Sequence, residues 1–154
     1  MRLSKNLTLR ECTKSLTAER LGIENEPGKK EIANLETIAK HIFQPVRDHF
    51  GVPIYVSSGY RSKELNFAIG GSATSQHVQG RALDLDADVF GRISNADMFK
   101  YIKENLDFDQ LIWEMGSDLN PAWIHVSYVS DRENRKRIYK ATRNKVGTIK
   151  YTPW

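Results

Sequence analysis

Residues 75–86 read SQHVQGRALDLD, and the change of character within this stretch organises the reading of the whole chain. The first half is polar and closes on Gly80, a residue suited to a tight backbone turn. The second half alternates. Ala82, Asp84 and Asp86 fall on one face of a strand, and Leu83 and Leu85 on the other. One face therefore belongs against a core, while the other carries two carboxylates. Residues 122–129, AWIHVSYV, repeat the pattern: Trp123, His125 and Ser127 share one face, Ile124 and Val126 the opposite one. A histidine on the polar face of a core strand calls for a chemical reason.

Working outward, residues 8–11 (TLRE) fit a capping box that starts a short helix. Residues 29–50, KKEIANLETIAKHIFQPVRDHF, place Ile32, Leu35, Ile38, Ala39, Ile42, Phe43, Val46 and Phe50 at helical spacing, with Gly51 as a stop. Pro45 predicts a kink or break in that helix. His41 and His49 lie on it without partners at ligand spacing, so they read as surface or packing residues. Residues 52–62, VPIYVSSGYRS, give a strand at about 54–57 and a glycine-containing turn. Ser62 caps the helix SKELNFAI, which Gly70 and Gly71 close, and Ser94 caps NADMFKYIKENL. Strands follow in FDQLIWEMG and AWIHVSYV. The final stretch, RKRIYKATRNKVGTIKYTPW, reads as a hairpin turning near Gly147. Helices first and neighbouring strands later predict an α+β fold, with helices packed on a small, mainly antiparallel sheet.

Composition narrows the function classes. A length of 154 residues, 40% hydrophobic and 27% charged, predicts one globular domain over 1–154 with a real core. Cys12 is the only cysteine, which excludes an intrachain disulfide and Cys-rich zinc sites; it reads as a small core filler. Any metal must then rely on His, Asp or Glu. The opening MRLSKNLTLREC has no long apolar run, so neither a signal peptide nor a membrane span is expected, and synthesis is cytoplasmic. Residues 131–154 hold eight Lys or Arg against two acidic residues, a charge of +6 within a whole-chain +4. Such a tail can favour an anionic polymer. Its interleaved β-branched and aromatic residues favour a solvated strand face instead, and no recognition motif points to a specific nucleic acid. A monomer is expected.

Two imidazoles and one carboxylate, His77, His125 and Asp84, make a suitable three-ligand set for a catalytic zinc that keeps a position for water. Each also has a plain alternative: a loop histidine, a hydrogen-bonded sheet residue and a capping carboxylate.

The motifs resemble a known family. SQHVQGRALDLD matches the Ser-x-His-x-x-Gly-x-Ala-x-Asp signature of the zinc D-Ala-D-Ala carboxypeptidases, a group that includes phage peptidoglycan endopeptidases and shares its site with hedgehog-type domains. SSGYRS looks like the family's upstream arginine turn, and WIHVSY like its terminal ligand strand, in the right order. The resemblance implies one Zn2+ per chain on His77, Asp84 and His125. It implies Glu114, at the end of its strand, as the general base that takes the water's proton, where the plain alternative is a surface carboxylate. Arg61 would face the site and bind a substrate carbonyl or carboxylate. Ser75 would hydrogen-bond the substrate or cap its loop, and Trp123 would wall the cleft. Ala82 leaves room beside Asp84, and Asp86 supports the site or is solvated. The chain departs from the pattern at Ala122, where many relatives carry an acid, so Asp118 in the long loop MGSDLNPA is the alternative base.

The implied activity is hydrolysis of an amide in the peptidoglycan stem peptide, as a D,D-carboxypeptidase or as an endolysin-type endopeptidase. A non-catalytic zinc-containing wall-binding module is the rival. The enzyme would act at the bacterial cell wall after release by a holin or in a virion.

Overall fold

A computed structural model describes residues 1–154. Strands β1 (Arg2–Ser4) and β2 (Leu7–Thr8) form a small antiparallel ribbon, followed by helices α1 (Leu9–Thr13) and α2 (Leu16–Leu21). The capping box forms as expected: the Thr8 hydroxyl accepts from the Glu11 amide, and the Glu11 carboxylate accepts from the Thr8 amide at 2.8 Å. Two of the amides that a helix start leaves without partners are thereby satisfied.

The long apolar-striped segment is helical from Lys29 to Phe50, but Pro45 changes its pitch. Helix α3 (Lys29–Ile38) runs into a π-helical turn (Ala39–Phe43) before α4 (Gln44–Phe50). Proline has no N–H and its ring crowds the carbonyl four residues back. The chain accommodates it by widening one turn, so that the Gln44 amide donates to the Ala39 carbonyl. The helix is widened at this point, and Gly51 ends it in the left-handed conformation. His41 stacks on Tyr128 at 4.6 Å and His49 on Tyr101 at 3.9 Å, so both are packing histidines.

Strand β3 (Tyr55–Ser58) begins one residue later than expected. Helix α5 (Lys63–Ala68) is capped by Ser62, β4 spans Ala82–Asp86, and α6 (Asn95–Asn105) starts with a capping box on Ser94. Then come β5 (Gln110–Glu114), β6 (Trp123–Ser127), β7 (Arg137–Arg143) and β8 (Ile149–Pro153). The six-stranded sheet has the order β3-β4-β6-β5-β7-β8, and every pair is antiparallel except β5–β7. The terminal hairpin β7–β8 turns at Gly147, whose φ is +90°.

Period-two alternation divides the sheet faces. Leu83, Leu85, Leu111, Trp113, Ile124 and Val126 are buried in one cluster with Leu35, Ile38, Ile42, Met98, Phe99 and Ile102 from the helices. Fully burying a side chain of this size contributes about 1.5–3 kcal/mol, so this face fixes the register of the central strands β4, β5 and β6. The opposite face is left to Asp84, Ile112, Glu114, Trp123 and His125. Cys12 is buried, and burial pushes its thiol up to about 12, as a core filler requires. No helix is long and apolar enough to cross a membrane.

Candidate metal centre and cleft

Pairing of β4 with β6 sets Asp84 directly opposite His125, while His77 arrives from a single tight turn (Gln76–Gln79) just before β4. Gly80 ends that turn at φ +70°, and a Cβ there would meet the Glu31 carbonyl at 2.5 Å. Only glycine fits on both counts. The ligand-type atoms of His77, Asp84 and His125 all lie within 4.8 Å of one another.

The donor set calls for a cation. His77 Nδ1 lies 2.6 Å from the Gly59 carbonyl, an oxygen that can only accept, so Nδ1 carries the proton. Burial pushes the His77 pKa below its ordinary value, so the ring is neutral and Nε2 presents a lone pair. That lone pair faces Asp84 Oδ1 at 3.3 Å and has no hydrogen-bond partner. Two acceptors in contact in a buried site are unfavourable unless a positive centre lies between them. His125 Nδ1 is 3.1 Å from the same oxygen. Tetrahedral zinc with bonds of about 2.1 Å separates its ligand atoms by about 3.4 Å, so the spacing fits such an ion. The histidine–carbonyl bond behind His77 is the arrangement that orients a metal-binding imidazole.

Arg61 sits beside this trio with a fuller set of contacts than the sequence suggested. Its Nη2 donates to Asp84 Oδ2 at 3.4 Å, its Nε to Ser58 Oγ at 3.1 Å and its Nη1 to Asn66 Oδ1 at 3.2 Å. Three of its five N–H groups are thus committed, and it also lines the cleft. Ser75 caps the turn, its hydroxyl accepting from the His77 amide at 3.3 Å, and lines the cleft as well.

Glu114 ends β5 opposite Trp123, and both line the same cavity. Glu114 is 7% exposed, its side chain hydrogen-bonds to no protein group, and its pKa is pushed up to about 7, chiefly by burial. A buried carboxyl left without a protein partner and facing a cavity marks a candidate functional group. Asp118 is different: it is exposed, ion-paired with Lys140, and absent from the cavity wall. Asp86 accepts from Asn95 Nδ2 at 3.0 Å and does not join the trio.

Sequence reasoning passed over three supports. Gly59 supplies the carbonyl for His77, and a Cβ on it would lie 2.6 Å from the Cys12 carbonyl. Asn66 is buried and ties Arg61 to the Ser72 carbonyl. Asn95, fully buried, binds Asp86, Asp88 and the carbonyls of Pro121 and Ala122, fastening the long β5–β6 loop to the end of β4.

The cavity has a volume of about 840 Å³. It runs from the 69–75 loop, past the trio, to the terminal hairpin, whose Tyr139, Arg143, Ile149 and Tyr151 line it. The basic tail is therefore a hairpin as expected, but one of its faces forms part of the cleft floor.

No curated protein matches the chain. Residues 5–127 match the family model described as Peptidase M15, which covers every member of the trio, Arg61 and Glu114. The chain belongs to the M15 metallopeptidases, the family of the zinc D-Ala-D-Ala carboxypeptidases.

Proposed function

We propose that this chain is a zinc-dependent peptidase of the bacterial cell wall that hydrolyses an amide bond of the peptidoglycan stem peptide. His77, Asp84 and His125 would hold one zinc ion. The observation that carries the reading is the partnerless, buried Nε2 of His77 aimed at Asp84, in the same cavity as the unpaired carboxyl of Glu114. Zinc at such a centre supplies Lewis acidity, acidifying water and polarising the scissile carbonyl. Glu114 acts as the general base, taking a proton from water and passing it to the leaving amine. Arg61 has two N–H groups left over for a substrate carbonyl, and its Nη2 contact holds Asp84 in position. Ser75 keeps its own O–H free to donate to the substrate, and Trp123 forms a wall beside Glu114. The catalytic domain spans 1–154, acts as a monomer, and reaches the wall after release by a holin or in a virion.

D,D-carboxypeptidase action is the first form of this activity and endopeptidase action within the stem or cross-link the second. A non-catalytic wall-binding module would have no use for a buried, unpartnered carboxyl beside the trio. Digestion of purified peptidoglycan by the zinc-loaded protein, with mass analysis, separates these. Free D-alanine identifies the carboxypeptidase, new internal amino termini the endopeptidase, and intact peptidoglycan refutes the enzymatic reading.

A further inference from the structure

The cleft continues well past the residues proposed to carry the chemistry, onto a part of the chain outside the family match. Hairpin β7–β8 lies beyond residue 127, yet it supplies Tyr139, Arg143, Ile149 and Tyr151 to the cavity wall. It is held firmly. Five residue pairs join β7 to β5 in parallel, and the last residue, Trp154, packs against Trp113 and Phe99 at 5.0 and 5.5 Å. The hairpin is thus a built part of the floor.

The sheet register places these residues relative to the centre. Ile112 pairs with both His125 and Tyr139, and Arg143 stands four residues farther along β7. With strands about 4.8 Å apart and about 3.3 Å per residue, the backbone of Arg143 lies about 16 Å from that of His125. An extended peptide covers that span in about four or five residues. Between them, Glu114, Ala141 and Tyr151 form one row across three strands, with the small Ala141 leaving the row low. Tyr151 lies close enough to the centre that partial burial, and then the charges of Glu114 and Asp84, raise its phenol.

Arg143 is exposed and free. The ion pairs made by lysine and arginine are Arg61–Asp84, Arg135–Asp109 and Lys140–Asp118, and Arg143 belongs to none of them. A cation with a planar fork at the end of a tyrosine-lined floor suits a carboxylate carried by a peptide lying along that floor.

We propose that the β7–β8 hairpin is a specificity subsite, in which Arg143 binds a carboxylate of the substrate peptide several residues from the scissile amide while Tyr139 and Tyr151 support the intervening chain. This rests on the reading of the site as a stem-peptide peptidase. It makes the length and charge of the peptide, and not only the scissile bond, determinants of turnover. A D-Ala-D-Ala dipeptide cannot reach Arg143; a full stem peptide with its side and α-carboxylates can.

The test compares three probes on zinc-loaded protein: the dipeptide, a stem pentapeptide with free carboxylates, and the same pentapeptide with its non-terminal carboxylates amidated. For the wild type, KM should be about 10- to 100-fold lower for the free-acid pentapeptide than for the amidated one, the worth of a charge-assisted bond of about 1.5–3 kcal/mol. Arg143→Gln should remove that preference and leave kcat, zinc content and KM for the amidated peptide unchanged. Equal loss on both pentapeptides, or no loss, overturns the subsite. If the wild type cleaves no probe, the carboxypeptidase and within-stem forms of the peptidase reading have failed, and calorimetric binding of the two pentapeptides to wild type and Arg143→Gln still decides the subsite: no free-acid preference there refutes it.

Discussion

Replacing Asp84 by asparagine tests the metal centre with little change of shape. The amide keeps the size of the carboxylate but has one oxygen where Asp84 uses two, Oδ2 accepting from Arg61 Nη2 at 3.4 Å and Oδ1 lying 3.1 Å from His125 Nδ1. It removes the only negative charge of the trio. For wild-type protein at free zinc 100 times its dissociation constant, binding adds about 2.7 kcal/mol of stability. At about 2–4 °C per kcal/mol for a chain of this length, that raises Tm by about 5–11 °C. Even an outer partner of a metal site is worth 10- to 100-fold in affinity, so 100-fold is a conservative loss for a charged ligand. At the same zinc concentration Asp84→Asn would then gain only about 0.4 kcal/mol, a shift of about 1–2 °C. Differential scanning fluorimetry with and without zinc reads both values. Magnesium should not substitute, because it requires an oxygen-rich octahedral shell. A zinc-induced shift as large in Asp84→Asn as in the wild type would refute the ligand assignment.

Glu114→Gln should retain zinc and fold while losing about 10² to 10⁴ in kcat, the contribution of a positioned acid–base group; retention of full activity would move the base elsewhere. Asp118→Ala, at an exposed loop position paired only with Lys140, should change stability by less than about 0.5 kcal/mol and leave turnover near wild type. Gly59→Ala would set a methyl 2.6 Å from the Cys12 carbonyl, and overpacking of this kind costs about 1–3 kcal/mol; zinc affinity should fall with it, because the Gly59 carbonyl orients His77. Buried Asp109 accepts two side-chain bonds from Arg135 and one from Gln76, and these hold its carboxyl below the usual range. A depressed folded pKa means the contribution is fully present above about pH 4, the unfolded value, and is lost as pH falls through the lower folded value. Urea melts from pH 6 to 2 should show that loss in the wild type and a shallower one in Asp109→Asn.

The apolar half of each repeating pattern carried the fold. Leu83, Leu85, Ile124 and Val126 had to face a core, so the sequence alone put Asp84 and His125 on the other side of their strands. Caps at Thr8, Ser62 and Ser94 and the stop at Gly51 were equally legible, because each depends on contacts within three or four residues. The candidate ligands were found by motif, and their order along the chain was sufficient for that.

What the sequence could not contain was anything set by pairing between distant segments. The parallel β5–β7 register, which turns a basic tail into cleft floor, depends on how the two strands lie across the finished core. The π-helical turn before Pro45 was one of several ways to absorb a missing N–H, and it leaves Ile42 and Phe43 buried in the core. Arg61 read as a free substrate-facing cation; its bonds to Ser58, Asn66 and Asp84 required β3, α5 and β4 to be brought together first. Local propensity acts over a few residues and is written in them, whereas a lone pair left without a partner at His77 Nε2 exists only once three separated segments have closed around it.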